Sequence, residues 1–597
     1  MRGLVGVVGV VIGFVWVCWS LVLGEDVNRS DVETGSMTEN EEEVVSMWGA
    51  DVGSDEGWSE AVCAVQQEEG GSGSREFLAM LYQAVVVDPT EGILVEDREP
   101  TSLFMLEELE GLPDSERPEI HSHGGSCEDR EKMDAVRRMA KWAWDGYREY
   151  AFGSDELAPL SRRGVEGFGG CTGVMILDSL DTLFLLDLME DFNEAKDWVN
   201  RSLDFACLKG DVSVFETTIR SFGGLLSSYY LTGETIFLRK SEELANFLIA
   251  AFGSSEDGRW LLPVQSCPLG SRHCRFPVLA TNLAEVGSLT VEWRAFSRIS
   301  NLTTAEVGRR AAEYIVRLLI SALPRDRLPA NDIIYQKDHY TFSGHASVSA
   351  RADSFYEYLL KVYLQGGRGK NEMVYFEAFR KEMNLMILNN VVGDDQLPYR
   401  LTHFPVPLNT KDQHMDHLAC FTAGILALGA FAKGTDLSFG EKKQWLLTAE
   451  RLSESCFKMY LHSPSKLASE ISFVNSAGVF QSHNGLYIHR PEAVEAFFYM
   501  WRLTKNVKYR EWAWFLFEAI ENQTRLDSGG YAGIEDVADM NLTKADCMST
   551  FFMAETIKYL YLTFCNDSVV DLNQWVFNTE GHPVQVDPVL AHSFSIP

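Results

Sequence analysis

Positive charge is scarce in this chain of 597 residues, which carries 52 lysine and arginine residues against 86 aspartate and glutamate residues. A nucleic-acid-binding protein needs clusters of Lys and Arg to neutralise phosphates, so a formal net charge of −34 argues against a nucleic-acid partner. The acidic excess is compatible with cation binding and equally with plain solubility. By itself it identifies no ligand.

Closely spaced cysteines of the zinc-binding type are also missing, although the chain contains 11 cysteines. The pairs Cys267/Cys274 and Cys420/Cys456 are candidate disulfides in an oxidising compartment, but the sequence alone leaves the pairing open. Six Asn-x-Ser/Thr triplets agree weakly with a secreted or lumenal chain. They begin at Asn28, Asn200, Asn301, Asn522, Asn541 and Asn566.

A long hydrophobic run occurs at the N-terminus, where residues 4–23 contain no charge. Twenty apolar residues are enough to span a bilayer as a helix. Arg2 precedes the run and Glu25 follows it, so the positive-inside rule places the rest of the chain in the lumen. The length favours a retained signal anchor over residues 1–24, with a cleaved signal peptide as the alternative. Both interpretations place the chain in the secretory pathway.

The next segment, residues 25–130, is acidic and has little helical or strand periodicity, which predicts a stem of low order. Strand-type alternation is nearly absent beyond it, and residues 131–590 form the predicted catalytic domain. Seven strongly apolar segments there have an acidic residue in or beside them, and after the first pair they recur roughly every 60 to 75 residues. These segments begin at Asp178, Val214, Leu283, Ala352, His417, Arg490 and Ser549.

Amphipathic helices are predicted between the apolar segments, for example over residues 235–251, 305–322 and 505–520. The spacing fits two helices for each repeat, with an apolar inner helix and an amphipathic outer one. We therefore predict an all-helical toroid. The alternative is an α-solenoid whose acidic residues merely favour helix N-termini, but several of these residues lie well inside their helices.

Carboxylates at core-like positions point to chemistry, because Asp and Glu are rarely buried unless they are paired or coordinate an ion. Inverting glycoside hydrolysis needs such groups as an acid and a base, typically ~6.5–9.5 Å apart. The candidates are Asp181, Glu216, Glu285, Glu292, Asp353, Glu357, Glu492, Glu495 and Glu555. Nearby Arg220, Arg351 and Arg490 are their obvious partners.

Several motifs, taken in order, resemble those of glycoside hydrolase family 47, the class I α-1,2-mannosidases. They are KWAWDGYREYAFGSDELAPLS, VFETTIR, ADSFYEYL, RPEAVEA and FNTEGHP, and the resemblance runs from Asp134 to Pro583. It implies an (αα)7 barrel closed at one end by a hairpin, with Ca²⁺ at the floor of the cavity. It also implies inverting removal of mannose from high-mannose N-glycans.

The resemblance also implies roles for individual residues. Glu216 matches the general acid, Glu492 the base that activates water, and Asp353 a third essential carboxylate. Thr579 matches the calcium ligand, through its hydroxyl and carbonyl oxygens, which are the hard donors that calcium prefers. Residues matching the substrate pocket are Arg220, Glu292, Arg351, His417, Arg490, Glu495, Phe551, Glu555 and Glu580.

Four positions depart from the family pattern without touching the catalytic set. Ser549 stands where the family has an acidic residue, and His489 occupies a usually apolar site. Lys466 and Ser469 stand where the family favours Gly and Pro. We expect these changes to alter the surroundings of Phe551 and of Glu470.

Two features bear on the branch of the family. Arg351 before Ala352-Asp353 is similar to the endoplasmic reticulum branch, in which this arginine restricts trimming, and we expect its side chain to reach the cavity. The pair Cys420/Cys456 resembles a disulfide of the active mannosidases. The resemblance thus implies a monomeric, single-pass type II enzyme of the endoplasmic reticulum or early Golgi that converts the nine-mannose N-glycan to the eight-mannose B isomer. The alternatives are a broader Golgi-type mannosidase and a degradation-enhancing glycan-recognition protein with little catalysis.

Overall fold

The computed structural model describes residues 128–587 except 171, 209, 256–257, 269–273, 337–338, 394–397 and 403–413. The predicted anchor and nearly all of the acidic stem therefore lie outside the described residues. Within the described ranges, no helix is both long enough and apolar enough to cross a membrane.

Fourteen helices of the described part alternate along the chain between an outer and an inner position. The outer helices are α1 (Arg130–Tyr150), α3 (Met189–Arg201), α5 (Thr235–Leu248), α7 (Thr303–Ala322), α9 (Met373–Asn389), α11 (Phe439–His462) and α13 (Lys508–Thr524). The inner helices are α2 (Val174–Leu185), α4 (Gly223–Thr232), α6 (Thr290–Ile299), α8 (Asp353–Gln365), α10 (Phe421–Ala430), α12 (Glu492–Thr504) and α14 (Ile557–Phe564). Short helices at Val214–Glu216 and Leu283–Gly287 precede α4 and α6.

The inner helices form a closed ring. Each of them contacts the next inner helix along the chain, and α14 contacts α2. The first outer helix, α1, packs against α14 and α13, so the first helix of the described part lies against the last two. Each of the seven apolar segments of the sequence supplies one inner helix. This pattern of contacts is the one expected for the predicted (αα)7 barrel.

Burial explains why the two kinds of helix have different sequences. Every residue of α10 is buried, because neighbours surround an inner helix on all sides. The outer helix α1 buries a stripe that includes Met133, Val136, Ala140 and Tyr147 and exposes its charged face. The amphipathic helices predicted from the sequence agree with the observed α5, α7 and α13 within a few residues.

Two inner helices continue from π-helical segments that the sequence did not predict. Thr217–Phe222 runs without a break into α4, and Phe552–Thr556 runs into α14. Each π-helical segment contains one predicted site residue, Arg220 in the first and Glu555 in the second. Insertions of this kind often occur at functional sites.

Short strands, which the sequence did not indicate, occupy many of the connections. They are β1 (Glu156–Ala158), β2 (Arg163–Val165), β3 (Val212–Ser213), β4 (Ser266–Cys267), β5 (Ala280–Asn282), β6 (Asp332–Gln336), β7 (His339–Ser343), β8 (Val391–Val392), β9 (Arg400–Leu401), β10 (His414–Asp416), β11 (Ile471–Val474), β12 (Phe480–Asn484), β13 (Gly533–Ile534), β14 (Lys544–Ala545), β15 (Trp575–Phe577) and β16 (Pro583–Gln585). Sheets β5-β6-β7 and β10-β11-β12 have three strands, and the others are hairpin-sized pairs. Runs of two to five residues are too short for a two-residue period to be recognised.

The antiparallel hairpin β15–β16 inserts its tip into the ring. Trp575 pairs with Gln585 and Phe577 with Pro583, which leaves residues 578–582 as the connecting loop. The loop is largely buried and bonds to side chains or backbone of α2, the π-helical segment before α4, α6, α8 and α14. The ring of helices therefore surrounds this loop, which agrees with the closing hairpin that the family resemblance implies.

Covalent links and glycosylation triplets fit an oxidising, lumenal environment. Both candidate disulfides, Cys267–Cys274 and Cys420–Cys456, are formed. The second joins the start of the inner helix α10 to the outer helix α11. The triplet asparagines that the structure describes are all exposed, namely Asn200, Asn301, Asn522, Asn541 and Asn566. Asn28 lies outside the described residues.

Candidate active site

Glu216 and Arg220 are brought together by one helical turn. The hydroxyl of Ser213 caps the turn by accepting a hydrogen bond from the backbone N–H of Glu216 at 3.2 Å. Arg220 Nε then donates to Glu216 Oε2 at 2.8 Å, as expected for residues four apart on a helix. Arg220 also pairs with Glu580 and lies 3.5 Å from Asp178. Burial opposes its positive charge, but these three carboxylates raise the pKa of Arg220 well above its ordinary value.

Phe551 lies between two guanidinium groups. The Cζ atoms of Arg220 and Arg490 are each 5.8 Å from the centroid of its ring. Arg490 is in turn held by Glu470, whose carboxylate oxygens lie 2.6 and 2.8 Å from Nε. Part of the Phe551 ring remains accessible. The ring thus offers an apolar surface, flanked by donors, of the kind that binds the C–H face and the hydroxyls of a sugar.

Glu492 is the first residue of α12, and His417 holds it. His417 Nδ1 lies 2.9 Å from Glu492 Oε2, while its Nε2 lies 2.8 Å from the hydroxyl of Tyr460. Burial raises the pKa of Glu492, but the hydrogen bond and charge of His417 and the charge of Arg490 outweigh burial and lower it. Glu492 is therefore an ionised carboxylate at neutral pH, which is the state that a general base requires.

Asp353 is the first residue of α8 and has the opposite electrostatic setting. Its Oδ1 accepts a hydrogen bond from the backbone N–H of Ser354 at 2.9 Å. Protein surrounds its carboxyl group densely, and this desolvation, reinforced by the charges of Glu357 and Glu492, raises the pKa of Asp353 to about 7. Asp353 and Glu492 are thus two interacting carboxyl groups whose pKa values are shifted apart, as in sites that use one acid and one base.

Thr579 stands at the tip of the β15–β16 hairpin. Its hydroxyl donates to Glu357 Oε2 at 2.7 Å, and its backbone N–H points to the hydroxyl of Tyr358 at 3.3 Å. The side chain of Asn578 organises the loop by accepting hydrogen bonds from the backbone N–H groups of Glu580 and His582, at 2.9 and 2.8 Å. Thr579 keeps part of its surface accessible.

Buried carboxyl groups surround this loop. Burial raises the pKa of Glu495 to about 8 and that of Glu292 to about 7. The pKa of Glu555 is raised well above its ordinary value, first by burial and then by the charges of Glu580, Glu495 and Glu492. These carboxylates therefore repel one another, and a bound cation would relieve that repulsion.

The residues present fit a calcium ion, judged by their chemistry. Thr579 and the surrounding carboxylates are hard oxygen donors, and Glu292 Oε2 is buried without a hydrogen-bond partner among the described residues. Within those ranges, no three His, Cys, Asp or Glu side chains are grouped closely enough to hold a metal ion by themselves. A cation here would thus bind Thr579 and waters held by the carboxylates.

Accessibility divides the predicted site residues into two groups. Those with partly accessible surface are Glu216, Arg220, Asp353, Arg490, Glu492, Phe551 and Thr579. Those that are buried behind them are Glu292, His417, Glu495, Glu555 and Glu580. All three carboxyl groups predicted to be catalytic are therefore within reach of a ligand.

Arg351 is a predicted site residue whose partner, Asp332, the sequence did not single out. Its guanidinium pairs with Asp332 Oδ1 at 2.7 Å through Nε and Nη2, and more than half of its side chain is exposed. It adopts the left-handed backbone conformation, with φ 78°. Among the described residues, no hydrogen bond or ion pair joins its side chain to Glu216, Asp353 or Glu492. The expected reach of Arg351 into the cavity stays a prediction.

The departures from the family pattern have local explanations. Lys466 has φ 65°, a left-handed conformation that glycine adopts most easily, which accounts for the family preference. Ser549 hydrogen-bonds to the carboxylate of Glu156, and Ser469 donates to the carbonyl of Ile471 at 3.0 Å. His489 is buried against Phe552, and burial lowers its pKa to about 3, so it is neutral.

Sequence reasoning missed the network beneath the site. His582 lies between Asp178 and Asp181, with its ring nitrogens 2.9 and 2.8 Å from their oxygens. Two buried lysines, Lys361 and Lys558, reach the loop that carries Thr579. The available signal was a lysine inside an otherwise apolar helix.

Comparisons with known proteins identify the family. Residues 139–586 match the model of glycosyl hydrolase family 47. The chain is 37% identical to mannosyl-oligosaccharide 1,2-alpha-mannosidase MNS1 of Arabidopsis thaliana over 463 residues, which cover 77% of this chain and 79% of that protein. It is 36% identical to the human mannosyl-oligosaccharide 1,2-alpha-mannosidase IC over 472 residues, which cover 77% and 71%.

A solved structure of an enzyme with the same named activity has a similar fold. The α-1,2-mannosidase from Trichoderma reesei superposes with a TM-score of 0.68 at 27% identity, and the match covers 78% of this chain and all of that one. The matched region contains the helical ring, the hairpin tip and the carboxyl groups described above. The chain is a glycosidase and belongs to glycosyl hydrolase family 47.

Proposed function

We propose that this protein is an inverting, calcium-dependent exo-α-1,2-mannosidase that trims high-mannose N-glycans in the lumen of the secretory pathway. The observation that carries the proposal is the electrostatic contrast between two partly accessible carboxyl groups, Asp353 and Glu492, in which the charge of Glu492 contributes to the raised pKa of Asp353. One of them tends to hold a proton at neutral pH and the other does not. The relatives named above are mannosidases of this linkage, which supplies the substrate class.

The chemistry assigns one task to each group. Ionised Glu492 takes a proton from the attacking water, whose oxygen bonds to the anomeric carbon of mannose. The bond from that carbon to the leaving oxygen breaks, and Glu216, with Asp353 as a second proton-holding group, returns a proton to that oxygen. Arg220 and Arg490 are placed to bind hydroxyls of the sugar that lies against Phe551.

Calcium, held by the hydroxyl and carbonyl oxygens of Thr579, would supply a positive charge that binds sugar hydroxyls and water. The surplus of buried carboxylates around the loop supports this part of the proposal. The exposed triplet asparagines and the two disulfides support a lumenal location. The endoplasmic reticulum enzyme that stops at the eight-mannose B isomer remains our first candidate for the branch.

Broader, Golgi-type trimming is the second candidate, and one observation favours it. The guanidinium of Arg351 is engaged by Asp332. A guanidinium that is already paired with a carboxylate has fewer donors left for the glycan, so it would restrict branch choice less than an unpaired one. A glycan-recognition protein with little catalysis is the weaker alternative, because recognition alone does not require three accessible carboxylates with an acid–base contrast.

The test is incubation of the purified protein with the free nine-mannose glycan and chromatography of the products over time. We expect release of mannose, loss of that activity in EDTA, and recovery with Ca²⁺ rather than with Mg²⁺, which demands a tighter octahedral site. Full activity in metal-free buffer would contradict the calcium assignment. Absence of mannose release in the presence of calcium would favour the recognition alternative.

A further inference from the structure

Two buried lysines hold the loop that carries Thr579 from opposite sides. Lys361 belongs to α8 and Lys558 to α14, and both side chains are fully buried. Each ammonium donates to a backbone carbonyl of the loop and also pairs with a carboxylate of an inner helix. The two carbonyls belong to Asn578 and Gly581, so they flank the Thr579-Glu580 dipeptide.

Lys361 contacts both the backbone before Thr579 and the carboxylate that binds the Thr579 hydroxyl. Its Nζ donates to the carbonyl of Asn578 at 3.2 Å and also to Glu357, one helical turn earlier. The other carboxylate oxygen of Glu357 accepts the hydrogen bond from Thr579 Oγ1 at 2.7 Å. One ammonium thus fixes the peptide before Thr579 and the carboxylate that orients its hydroxyl.

Lys558 secures the far side of the loop. Its Nζ donates to the carbonyl of Gly581 at 2.6 Å and to Asp181 Oδ2 at 2.9 Å. The same carboxylate oxygen lies 2.8 Å from Nδ1 of His582, the residue that ends the loop. Lys558 and Asp181 thus join the end of the loop to two inner helices, α14 and α2.

The loop needs such support because its own framework is small. Strands β15 and β16 have three residues each, and an isolated two-stranded hairpin is at best marginally stable. Gly581 has φ 69°, and a Cβ atom there would lie 3.1 Å from Glu555 Cγ. The hydrogen bonds from Lys361 and Lys558 to backbone carbonyls of the loop restrain it in place of the additional strands of a larger sheet.

We propose that Lys361 and Lys558 are positioning residues that set the calcium affinity of the protein by fixing the backbone on either side of Thr579. The inference rests on the proposed function, because it takes Thr579 as the ligand. Groups that orient a ligand typically change metal affinity by about 10- to 100-fold when they are removed.

A purely electrostatic role for the lysines makes the opposite prediction. If the ammonium groups only neutralise the surrounding carboxylates, their removal leaves more net negative charge, and calcium should bind more tightly. If they position the loop, their removal should weaken binding. In Lys361→Met, which removes a positive charge alone, the sign of the change in affinity therefore separates the two roles, whereas a purely electrostatic role predicts little change in a variant that keeps the net charge.

The experiment is calorimetric titration of Ca²⁺ into the EDTA-stripped full-length chain and its variants. The informative variants are Lys361→Met and the double variant Lys558→Met with Asp181→Asn. The double variant removes one positive and one negative charge together, so it leaves no unpaired buried charge that would prevent folding. We expect the dissociation constant for calcium to rise about 10- to 100-fold in each.

Arg502→Met provides the matched control. Arg502 is a buried cation of α12 that donates to the carbonyls of Leu562, Asp567 and Val570, about 15 Å along the helix from Glu492. Its loss should lower the melting temperature while calcium affinity stays within twofold of wild type. An equal loss of affinity in this control would reduce the effect to general destabilisation and overturn the inference.

Hydrogen–deuterium exchange of residues 578–582 in the metal-free state gives a second readout. Positioning by the lysines predicts faster exchange of this segment in the variants before any calcium is added. Unchanged or tighter calcium binding in the variants overturns the inference and leaves the proposed function intact. A wild-type chain that binds no calcium overturns both.

Discussion

His417 Nδ1 lies 2.9 Å from Glu492 Oε2, and this contact keeps a buried carboxyl group ionised. Burial alone would raise the pKa of Glu492, as it does for Asp353, Glu292 and Glu495. The hydrogen bond and charge of His417 reverse the direction of the shift. One imidazole therefore decides which carboxyl group of the site can act as a base at mildly acid pH.

The substitution His417→Ala should move the acidic limb of the pH–activity profile to higher pH. Without the imidazole, burial is opposed mainly by Arg490, so the pKa of Glu492 rises and the ionised base is lost at a higher pH. We expect a shift of about one pH unit or more in the limb of kcat/KM. Tyr460→Phe removes the other partner of His417 and should give a smaller shift. An acidic limb that does not move would contradict this role for His417.

Asp353→Asn should remove the alkaline limb near neutrality. The pKa of Asp353 is raised to about 7, so its protonated form is present below that pH and is lost as the pH rises through it. If this carboxyl group holds the proton for the leaving oxygen, kcat/KM of the wild type should fall above about pH 7. The variant should lose about 10²-fold or more in kcat, the usual contribution of a general acid. Residual activity with an unchanged alkaline limb would assign that limb to another group.

The released sugar should initially be β-mannose. In the proposed mechanism Glu492 activates water directly and no carboxylate acts as a nucleophile, so the configuration at the anomeric carbon should invert in one displacement. Proton NMR recorded during the first turnovers, before mutarotation, measures this. Initial α-mannose would indicate a covalent intermediate and would require different roles for Glu216 and Glu492.

Arg351→Leu tests the branch preference. Charge-assisted hydrogen bonds are worth roughly 1.5–3 kcal/mol each, so the loss of two could change branch preference by more than tenfold. We expect slower removal of the first mannose and further trimming beyond the eight-mannose B isomer. Asp332→Asn is the companion variant, because it releases Arg351 without deleting it. If the wild type already trims past that isomer at low enzyme concentration, the result favours the broader, Golgi-type mannosidase over the endoplasmic reticulum type.

Gly224→Ala should destabilise the ring where α2 and α4 meet. A Cβ atom at this position would lie 2.2 Å from the carbonyl oxygen of Leu177, which is backbone and cannot move aside cheaply. Overpacking of this kind typically costs about 1–3 kcal/mol in the free energy of unfolding. Gly440→Ala, near the exposed start of α11, meets no atom within 4 Å and should be neutral or slightly stabilising. Thermal or urea unfolding of both variants compares them directly.

The periodic part of the fold could be predicted from the sequence, and the rest depends on contacts between distant residues. The inner helices were recognisable because strongly apolar segments with an acidic residue in or beside them are rare and, after the first pair, recur at nearly regular intervals. The π-helical segment around Arg220 has no such period, since it is defined by backbone hydrogen bonds alone. The pairing of Arg351 with Asp332 joins a turn to a strand that begins 19 residues earlier. The residues around either position contain no pattern that predicts this pairing.

The network beneath the site was invisible for a similar reason. Lys361 reads as one polar residue in ADSFYEYLLKVYL, and its partner carbonyl is 217 residues away. His582 was part of the FNTEGHP motif, yet its partners Asp178 and Asp181 lie at the other end of the domain sequence. The order of the motifs predicts the residues of the active site. The residues that support them can be recognised only in the folded ring, because their partners are far apart in the sequence.

The position of the β15–β16 hairpin at the end of the domain has a consequence for biosynthesis. Thr579 comes from nearly the last described segment, while Glu216 and Asp178 come from the first inner helices, which leave the ribosome earliest. Every inner helix is therefore synthesised before the loop that carries Thr579. If Thr579 holds the calcium ion as proposed, a chain that stops before this hairpin lacks activity, and hydrolysis of mannose shows that synthesis has passed it.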